Sequence, residues 1–129
     1  ITGRKNEMIV NSGGENISPI PIENKLLNSN EIEQVLVFGH NKPFLIAIIV
    51  LNDETIIKYN ANKIKLKQII KDIINNTNSE LSQKNKIRKF IIANNSFNIE
   101  NMQLTPTLKI KRNKIIDFYQ SEINSLYKK

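Results

Sequence analysis

Two short stretches of the sequence combine residue types that could contact a ligand directly. The first is the glycine pair Gly13-Gly14, which lies between two short extended segments and uses half of the chain's four glycines. Because glycine has no side chain, the backbone of such a pair can approach a ligand closely, although an ordinary tight hairpin produces the same pattern. The second is a lysine-rich turn after Pro106, which places four cations within six positions: Lys109, Lys111, Arg112 and Lys114.

Composition limits the chemistry that this chain could perform. Its 129 residues suffice for one domain with its own core, but they are few for an enzyme that must enclose two substrates. There is no cysteine and only one histidine, so disulfides, thiolate nucleophiles and Cys- or His-based metal sites are excluded. We interpret that histidine, His40, as an exposed turn residue. No apolar run approaches the roughly 20 residues needed to cross a bilayer, and we expect a soluble domain.

The formal net charge of +7 leaves a second class of function open. Clustered Lys and Arg bind phosphates by releasing counterions, so a small basic module that binds nucleic acid or phosphorylated partners through the lysine-rich turn is the alternative interpretation. The lysines are, however, spread along the chain, and the aromatic residues do not alternate with them as in a stacking surface for single strands. We therefore interpret most of the charge as solvated surface and expect no nucleic-acid partner.

Periodicity predicts the elements around the glycine pair. Residues 8–10 and 16–17 are expected to form two short strands that pair across it. Ser18 in an N-cap position and Pro19 at the first helical position predict a helix over 20–28. The inward-facing residues of this helix are predicted to be Ile22, Leu26 and Leu27.

The remaining pattern predicts a small sheet covered by helices. Apolar runs at 35–38 and 44–51 predict an antiparallel strand pair, and the second strand should be central because it is nearly all apolar. Helical spacing recurs over 63–75 and again near the C-terminus, residues 87–93 predict another strand, and 94–103 is expected to be a surface connection. The predicted fold class is α+β, with a small antiparallel sheet of about three strands packed by helices and preceded by the glycine hairpin.

Two segments together resemble one protein family. Residues 3–23 read GRKNEMIVNSGGENISPIPIE. They resemble the hinge and glycine-hairpin motif that opens the small C-terminal domain of AMP-forming acyl-CoA synthetases, which are members of the adenylate-forming superfamily. Residues 104–112 read LTPTLKIKR and resemble the loop that bears the catalytic lysine of that domain. The resemblance covers essentially the whole chain. It implies that residues 1–129 form a single domain, the mobile C-terminal domain of a larger enzyme whose N-terminal domain lies outside this sequence.

This resemblance implies a reaction in two steps. A carboxylate attacks the α-phosphate of ATP to give an acyl-adenylate and pyrophosphate, and the thiol of coenzyme A then attacks that adenylate. In the family the N-terminal domain binds the acid and ATP and makes most of the contacts to coenzyme A and Mg2+. The small domain rotates to present a different face for each step. The Leu-Thr-Pro-Thr run is similar to that of the long-chain branch, which implies a long-chain fatty acid as substrate. The fragment alone is expected to be inactive.

The resemblance also assigns roles to individual residues. Lys109 matches the catalytic lysine that enters the site for adenylation. Gly13 and Gly14 match the hairpin that lines the pantetheine channel of coenzyme A after rotation. Lys5 and Asn6 match the hinge.

Two positions depart from the family's pattern. Asn6 stands where the pivot is most often Asp or Lys, and Leu108 stands where a glycine commonly precedes the lysine. Glu15 and Glu23 are interpreted as structural, because the implied mechanism needs no acid–base pair and Glu23 is expected in the first turn of its helix, where the helix dipole stabilises a carboxylate.

Location and partners follow from the same resemblance. We expect a cytoplasmic enzyme, with peripheral contact of the full-length protein to a membrane left open. Its partners are expected to be the fatty acid substrate and its own N-terminal domain. A free-standing domain that docks on a separate adenylating subunit is a third interpretation.

Overall fold

In the computed structural model, which describes residues 8–93, 96–107 and 109–127, the chain begins with an antiparallel hairpin. Its strands are β1 (Ile9–Val10) and β2 (Asn16–Ile17). Ile9 and Ile17 pair with one another and are both buried in the core. The predicted hairpin around the glycine pair is therefore confirmed, and its apolar side chains attach it to the rest of the domain.

The central sheet has three strands in the described residues, in the order β3-β4-β5. They are β3 (Ile32–Phe38), β4 (Leu45–Leu51) and β5 (Ile87–Ile92). Every residue of β4 is buried, which confirms that this strand is central. β3 pairs with β4 antiparallel, as predicted, but β5 pairs with β4 in parallel. The sheet is thus mixed rather than antiparallel throughout, because the helical crossover after β4 returns the chain to the end of the sheet where β4 begins.

Five α-helices in the described part of the chain pack on this sheet. They are α1 (Pro19–Leu27), α2 (Asp53–Lys58), α3 (Lys63–Asn78), α4 (Arg112–Phe118) and α5 (Gln120–Tyr127). Pro19 occupies the first position of α1, where its missing N–H costs nothing. The side chains of Asn52 and Asn62 cap α2 and α3 by accepting backbone N–H hydrogen bonds of 2.8 and 3.1 Å.

The sheet separates two apolar cores. The core on one face joins the hairpin, α1 and α3, and includes Ile22, Leu26, Ile70 and Ile74. The core on the other face joins α4 and α5 to the segment before them, and includes Phe97, Leu104, Ile115 and Ile123. Alternate side chains of β4 enter opposite cores because successive residues of a strand point to opposite faces.

The last helix is fastened to the loop between β3 and β4 through Tyr127. Its hydroxyl group donates a hydrogen bond of 2.8 Å to the backbone oxygen of Phe44, and the two ring centroids are 4.7 Å apart. Burial raises the pKa of the Tyr127 phenol well above its usual value of 10.0. The phenol therefore remains a neutral hydrogen-bond donor at physiological pH.

Three further details of the predicted fold are wrong. Leu27 is 41% exposed, because it lies one position beyond the inward-facing Leu26 at the end of α1. The segment 94–103 does not lie wholly on the surface, since Phe97 and Gln103 are buried. Glu23 is the fifth residue of α1 rather than part of its first turn, and it is buried.

Candidate functional site

The glycine turn is organised by Asn11 from within the hairpin. Its Oδ1 accepts hydrogen bonds from the backbone N–H groups of Gly13 and Glu15, at 3.0 and 2.9 Å. Its Nδ2 donates to the carboxylate of Glu15 at 3.0 Å. Gly14 follows with φ of 81°, a left-handed conformation that glycine adopts without steric cost.

The two glycines differ in what the fold requires of them. Gly14 is required for its backbone angle, although a Cβ there would meet no described atom within 4 Å. At Gly13 a Cβ would meet Asn11 Oδ1 at 3.5 Å, an ordinary contact. Packing among the described residues therefore does not explain why Gly13 lacks a side chain.

A cleft of about 210 Å³ lies beside the hairpin. Asn11 and Glu15 of the hairpin line it, and three cations also contribute to the lining: Lys84, Lys86 and Arg88. The ammonium group of Lys84 donates a hydrogen bond of 3.2 Å to the backbone oxygen of Asn16, which ties this basic segment to β2. Such a cleft suits a narrow ligand with anionic groups. None of the three cations was predicted as a site residue, although basic residues at every second position just before and into β5 were a usable signal.

The lysine-rich turn is the tip of a second, very short hairpin. Leu104 and Ile110 form an antiparallel bridge. The backbone N–H of Thr105 donates to the oxygen of Lys109 at 2.8 Å, and the N–H of Lys109 donates to Thr105 Oγ1 at 3.0 Å. Next along the chain, the N–H of Lys111 donates to the oxygen of Gln103 at 2.9 Å. The backbone of Lys109 is therefore held at both its N–H and its C=O, while its side chain is exposed to solvent.

Arg112, the first residue of α4, forms a buried ion pair with Glu23 of α1. Its Nη1 and Nη2 donate to the two carboxylate oxygens at 2.7 Å each. The side chains of Arg112 and Glu23 are only 18% and 6% exposed. The backbone N–H of Val37 in β3 donates a further hydrogen bond of 2.8 Å to the same carboxylate. Arg112 is thus a structural residue, and the lysine-rich turn presents fewer cations to solvent than predicted.

The structure keeps the two predicted sites apart. The glycine hairpin packs into the core on one face of the sheet through Ile9 and Ile17, whereas the loop of Lys109 packs into the other core through Leu104 and Ile110. The predicted hinge residues Lys5 and Asn6, and likewise Leu108, lie outside the described residues. One domain therefore carries two candidate sites on different faces.

The family model for the AMP-binding enzyme C-terminal domain matches residues 6–129 of this chain. The chain belongs to that family. The family predicted from the sequence motifs is thereby confirmed.

Relatives and solved structures of larger enzymes resemble this domain. Long-chain-fatty-acid–CoA ligase FadD15 of Mycobacterium tuberculosis is 32% identical over 143 residues, which cover 100% of this chain and 24% of the relative. Long-chain-fatty-acid–[acyl-carrier-protein] ligase AEE15 of Arabidopsis thaliana is 34% identical, over 98% of this chain and 18% of the relative. The A domain of carboxylic acid reductase from Segniliparus rugosus, solved with AMP and a co-purified carboxylic acid, aligns with a TM-score of 0.84 and 27% identity over 96% of this chain and 20% of that one. The chain thus spans a quarter or less of these proteins' lengths.

The described ranges contain neither a cluster of metal ligands nor a membrane-spanning helix. No three His, Asp or Glu side chains gather there as ligands for a metal ion. Within the same ranges, no helix is long and apolar enough to cross a membrane.

Proposed function

We propose that this chain is the mobile C-terminal domain of an AMP-forming long-chain fatty acid–CoA ligase. The family match and the similarity to long-chain ligases support the reaction class. The observation that carries the role of this domain is the exposed side chain of Lys109 on a backbone held from both sides. The full-length enzyme, with ATP, coenzyme A and a fatty acid as substrates, would work in the cytoplasm with its own N-terminal domain as partner. A peripheral membrane contact of that enzyme stays open to measurement.

In the first half-reaction, Lys109 stabilises charge. The carboxylate oxygen of the fatty acid bonds to the α-phosphorus of ATP, the bond to the leaving pyrophosphate breaks, and acyl-AMP forms. Negative charge is shared among the attacking, bridging and leaving oxygens in the transition state, and a nearby ammonium group lowers its energy. Lysine suits this task because its charge is compact and its flexible stem lets it enter a site from a neighbouring domain.

In the second half-reaction, the glycine hairpin contributes its open backbone. The thiol of coenzyme A attacks the acyl carbon, AMP leaves, and the thioester forms. Gly13 and Gly14 would line the channel for the pantetheine arm, where a side chain would obstruct a thin ligand. The basic lining of the adjacent cleft, which includes Lys86 and Arg88, offers partners for the phosphate groups of coenzyme A.

The separation of the two sites supports a rotation of the domain between half-reactions. Lys109 and the glycine hairpin belong to opposite faces of the sheet, so a single orientation would not present both to one active site. We propose Lys5 and Asn6 as the pivot for this rotation. An asparagine there would tolerate the backbone angles that a pivot visits.

Substitution of Lys109 in the full-length enzyme tests the first role. Lys109→Ala should lower acyl-AMP formation, measured as fatty-acid-dependent exchange of pyrophosphate into ATP, by about 10²- to 10³-fold. Thioester formation from supplied acyl-AMP and coenzyme A should keep its rate. Lys114→Ala, which removes another exposed lysine nearby, in the first turn of α4, is the control and should leave both rates unchanged. Equal loss of both half-reactions in Lys109→Ala would rule out the role given to this lysine.

Substitution of Gly13 tests the second role. Because a Cβ at Gly13 makes only an ordinary contact with the described residues, Gly13→Ala should leave the fold intact. Gly13→Val adds two methyl groups beyond that Cβ and is compared with wild type after thermal unfolding has shown that it folds. It should slow thioester formation from acyl-AMP selectively and raise the KM for coenzyme A, while exchange of pyrophosphate stays normal. If Gly13→Val forms acyl-CoA at the wild-type rate, the hairpin does not line the channel.

A further inference from the structure

We propose that Arg112 and Glu23 are positioning residues that hold the loop of Lys109 at a set place relative to the glycine-hairpin face. Glu23 belongs to α1, which follows the hairpin directly, and Arg112 follows Lys109 by three residues. Their ion pair joins two segments that are 89 residues apart in sequence. Since the role is to position Lys109, this inference rests on the function proposed above.

The pair lies at an edge of the central sheet. β3 is an edge strand, so some of its backbone N–H groups point away from β4 and need other partners. Glu23 supplies one by accepting the N–H of Val37, and it accepts both Nη groups of Arg112 with the same carboxylate. The carboxylate thus connects α1, β3 and the start of α4 across the boundary between the two cores.

The geometry of the pair restricts orientation as well as distance. Two parallel N–H···O bonds of 2.7 Å align the planar guanidinium group with the planar carboxylate. Burial keeps water from replacing either group, because both side chains are largely covered. Lysine in place of Arg112 would keep the positive charge but could not form the two parallel hydrogen bonds of the guanidinium group.

Apolar packing also attaches the loop of Lys109 to β3, since Leu104 and Ile110 lie in the same core as Leu36. The Arg112–Glu23 pair adds a directional polar link from the end of this loop to α1. In the described residues, the backbone hydrogen bonds of the loop join it to neighbouring residues of its own short hairpin, such as Thr105 and Gln103. Three residues span at most about 10 Å, so Lys109 lies close in the chain to the anchor at Arg112. Small displacements of a group that must meet a transition state reduce the rate strongly.

The first test compares both half-reactions in the full-length enzyme. Arg112→Lys and Glu23→Gln should each slow pyrophosphate exchange about 10- to 100-fold, with the KM values for ATP and fatty acid little changed. Thioester formation from supplied acyl-AMP should stay within about twofold of wild type. Arg112→Met should be slower in exchange than Arg112→Lys, because the lysine retains the charge.

A destabilising variant away from the Lys109 loop separates positioning from general destabilisation. Asn62→Ala removes the cap of α3, which packs on the face of the sheet opposite to α4, and should lower both half-reactions equally if it lowers either. The same ratio of half-reaction rates in Arg112→Lys as in Asn62→Ala would overturn the positioning role.

The second test does not depend on catalysis. In the 129-residue chain, the amide hydrogens of Thr105 and Lys109 should exchange with solvent at least severalfold faster in Arg112→Lys than in wild type, while the amide of Lys65 in α3 should be unaffected. Unchanged exchange at Thr105 and Lys109 would overturn the inference. By contrast, wild-type pyrophosphate exchange in Lys109→Ala would overturn the proposed function and leave the amide result standing.

Discussion

Removal of the buried carboxylate of Glu23 should be among the most destabilising single changes in this domain. Glu23 is 5% exposed and accepts three hydrogen bonds, two from Arg112 and one from Val37. Breaking a buried ion pair from one side costs about 3–5 kcal/mol, because the remaining charge stays buried without its partner. The Arg112 side chain is 18% exposed and can regain some hydration. We therefore expect Glu23→Leu to lower the free energy of unfolding by about 3 kcal/mol, near the lower end of that range.

Removal of the other partner, Arg112, should lower the free energy of unfolding by more. Arg112→Met leaves the carboxylate of Glu23, whose side chain is only 6% exposed, with the Val37 N–H as its remaining described partner. We expect a loss of about 4 kcal/mol in the free energy of unfolding. The double variant replaces both charges by apolar groups, so it should cost about 2 kcal/mol less than the sum of the single changes.

A double-mutant cycle on the 129-residue chain measures this coupling. Unfolding by urea at pH 7, followed by far-UV circular dichroism, gives the free energy for wild type, Glu23→Leu, Arg112→Met and the double variant. Surface pairs such as Lys25–Glu80, with side chains 41% and 69% exposed, provide a control cycle that should show coupling below about 1 kcal/mol. Additivity of the Glu23 and Arg112 effects within about 0.5 kcal/mol would refute the reasoning, since it would mean that the two side chains do not interact in solution.

Two further changes test other contacts. Tyr127→Phe should lower the free energy of unfolding at neutral pH by about 1 kcal/mol through loss of its hydrogen bond. The pKa of Tyr127 is raised in the folded state, so the stabilisation by this hydrogen bond is complete below the usual pKa of 10.0 and is lost as the pH rises further. The difference between Tyr127→Phe and wild type in urea unfolding should therefore shrink at alkaline pH. A difference that does not depend on pH would contradict this. Gly39→Ala should cost about 1–3 kcal/mol in thermal unfolding, since its Cβ would clash with the buried Leu45 side chain, whereas Gly13→Ala should cost little; equal effects would contradict the packing described at Gly39.

Some features of the candidate site could be predicted because they depend on local sequence. The glycine pair between two short extended segments predicted the first hairpin, and the order of motif residues around Lys109 predicted the family. The continuous apolar run of β4 likewise predicted a strand buried on both faces. Patterns of this kind reflect backbone preference and side-chain periodicity, which act over a few residues.

Glu23 shows where a local signal was available and was misinterpreted. The buried residues of α1 are Pro19, Ile22, Glu23 and Leu26, which follow the spacing of one helix face. That spacing places Glu23 inward whatever its charge. Its partner could not be inferred in the same way, because nothing near Arg112 in the sequence distinguishes it from the lysines beside it.

The sequence by itself determined the fold class, the glycine hairpin, the central position of β4 and the membership of the family. Only the tertiary structure decided the parallel pairing of β5, the opposite faces occupied by the glycine hairpin and Lys109, and the ion pair between Glu23 and Arg112. These features join segments that are far apart in the chain. Their geometry follows from how the helices and strands pack together, and no short stretch of sequence contains that information.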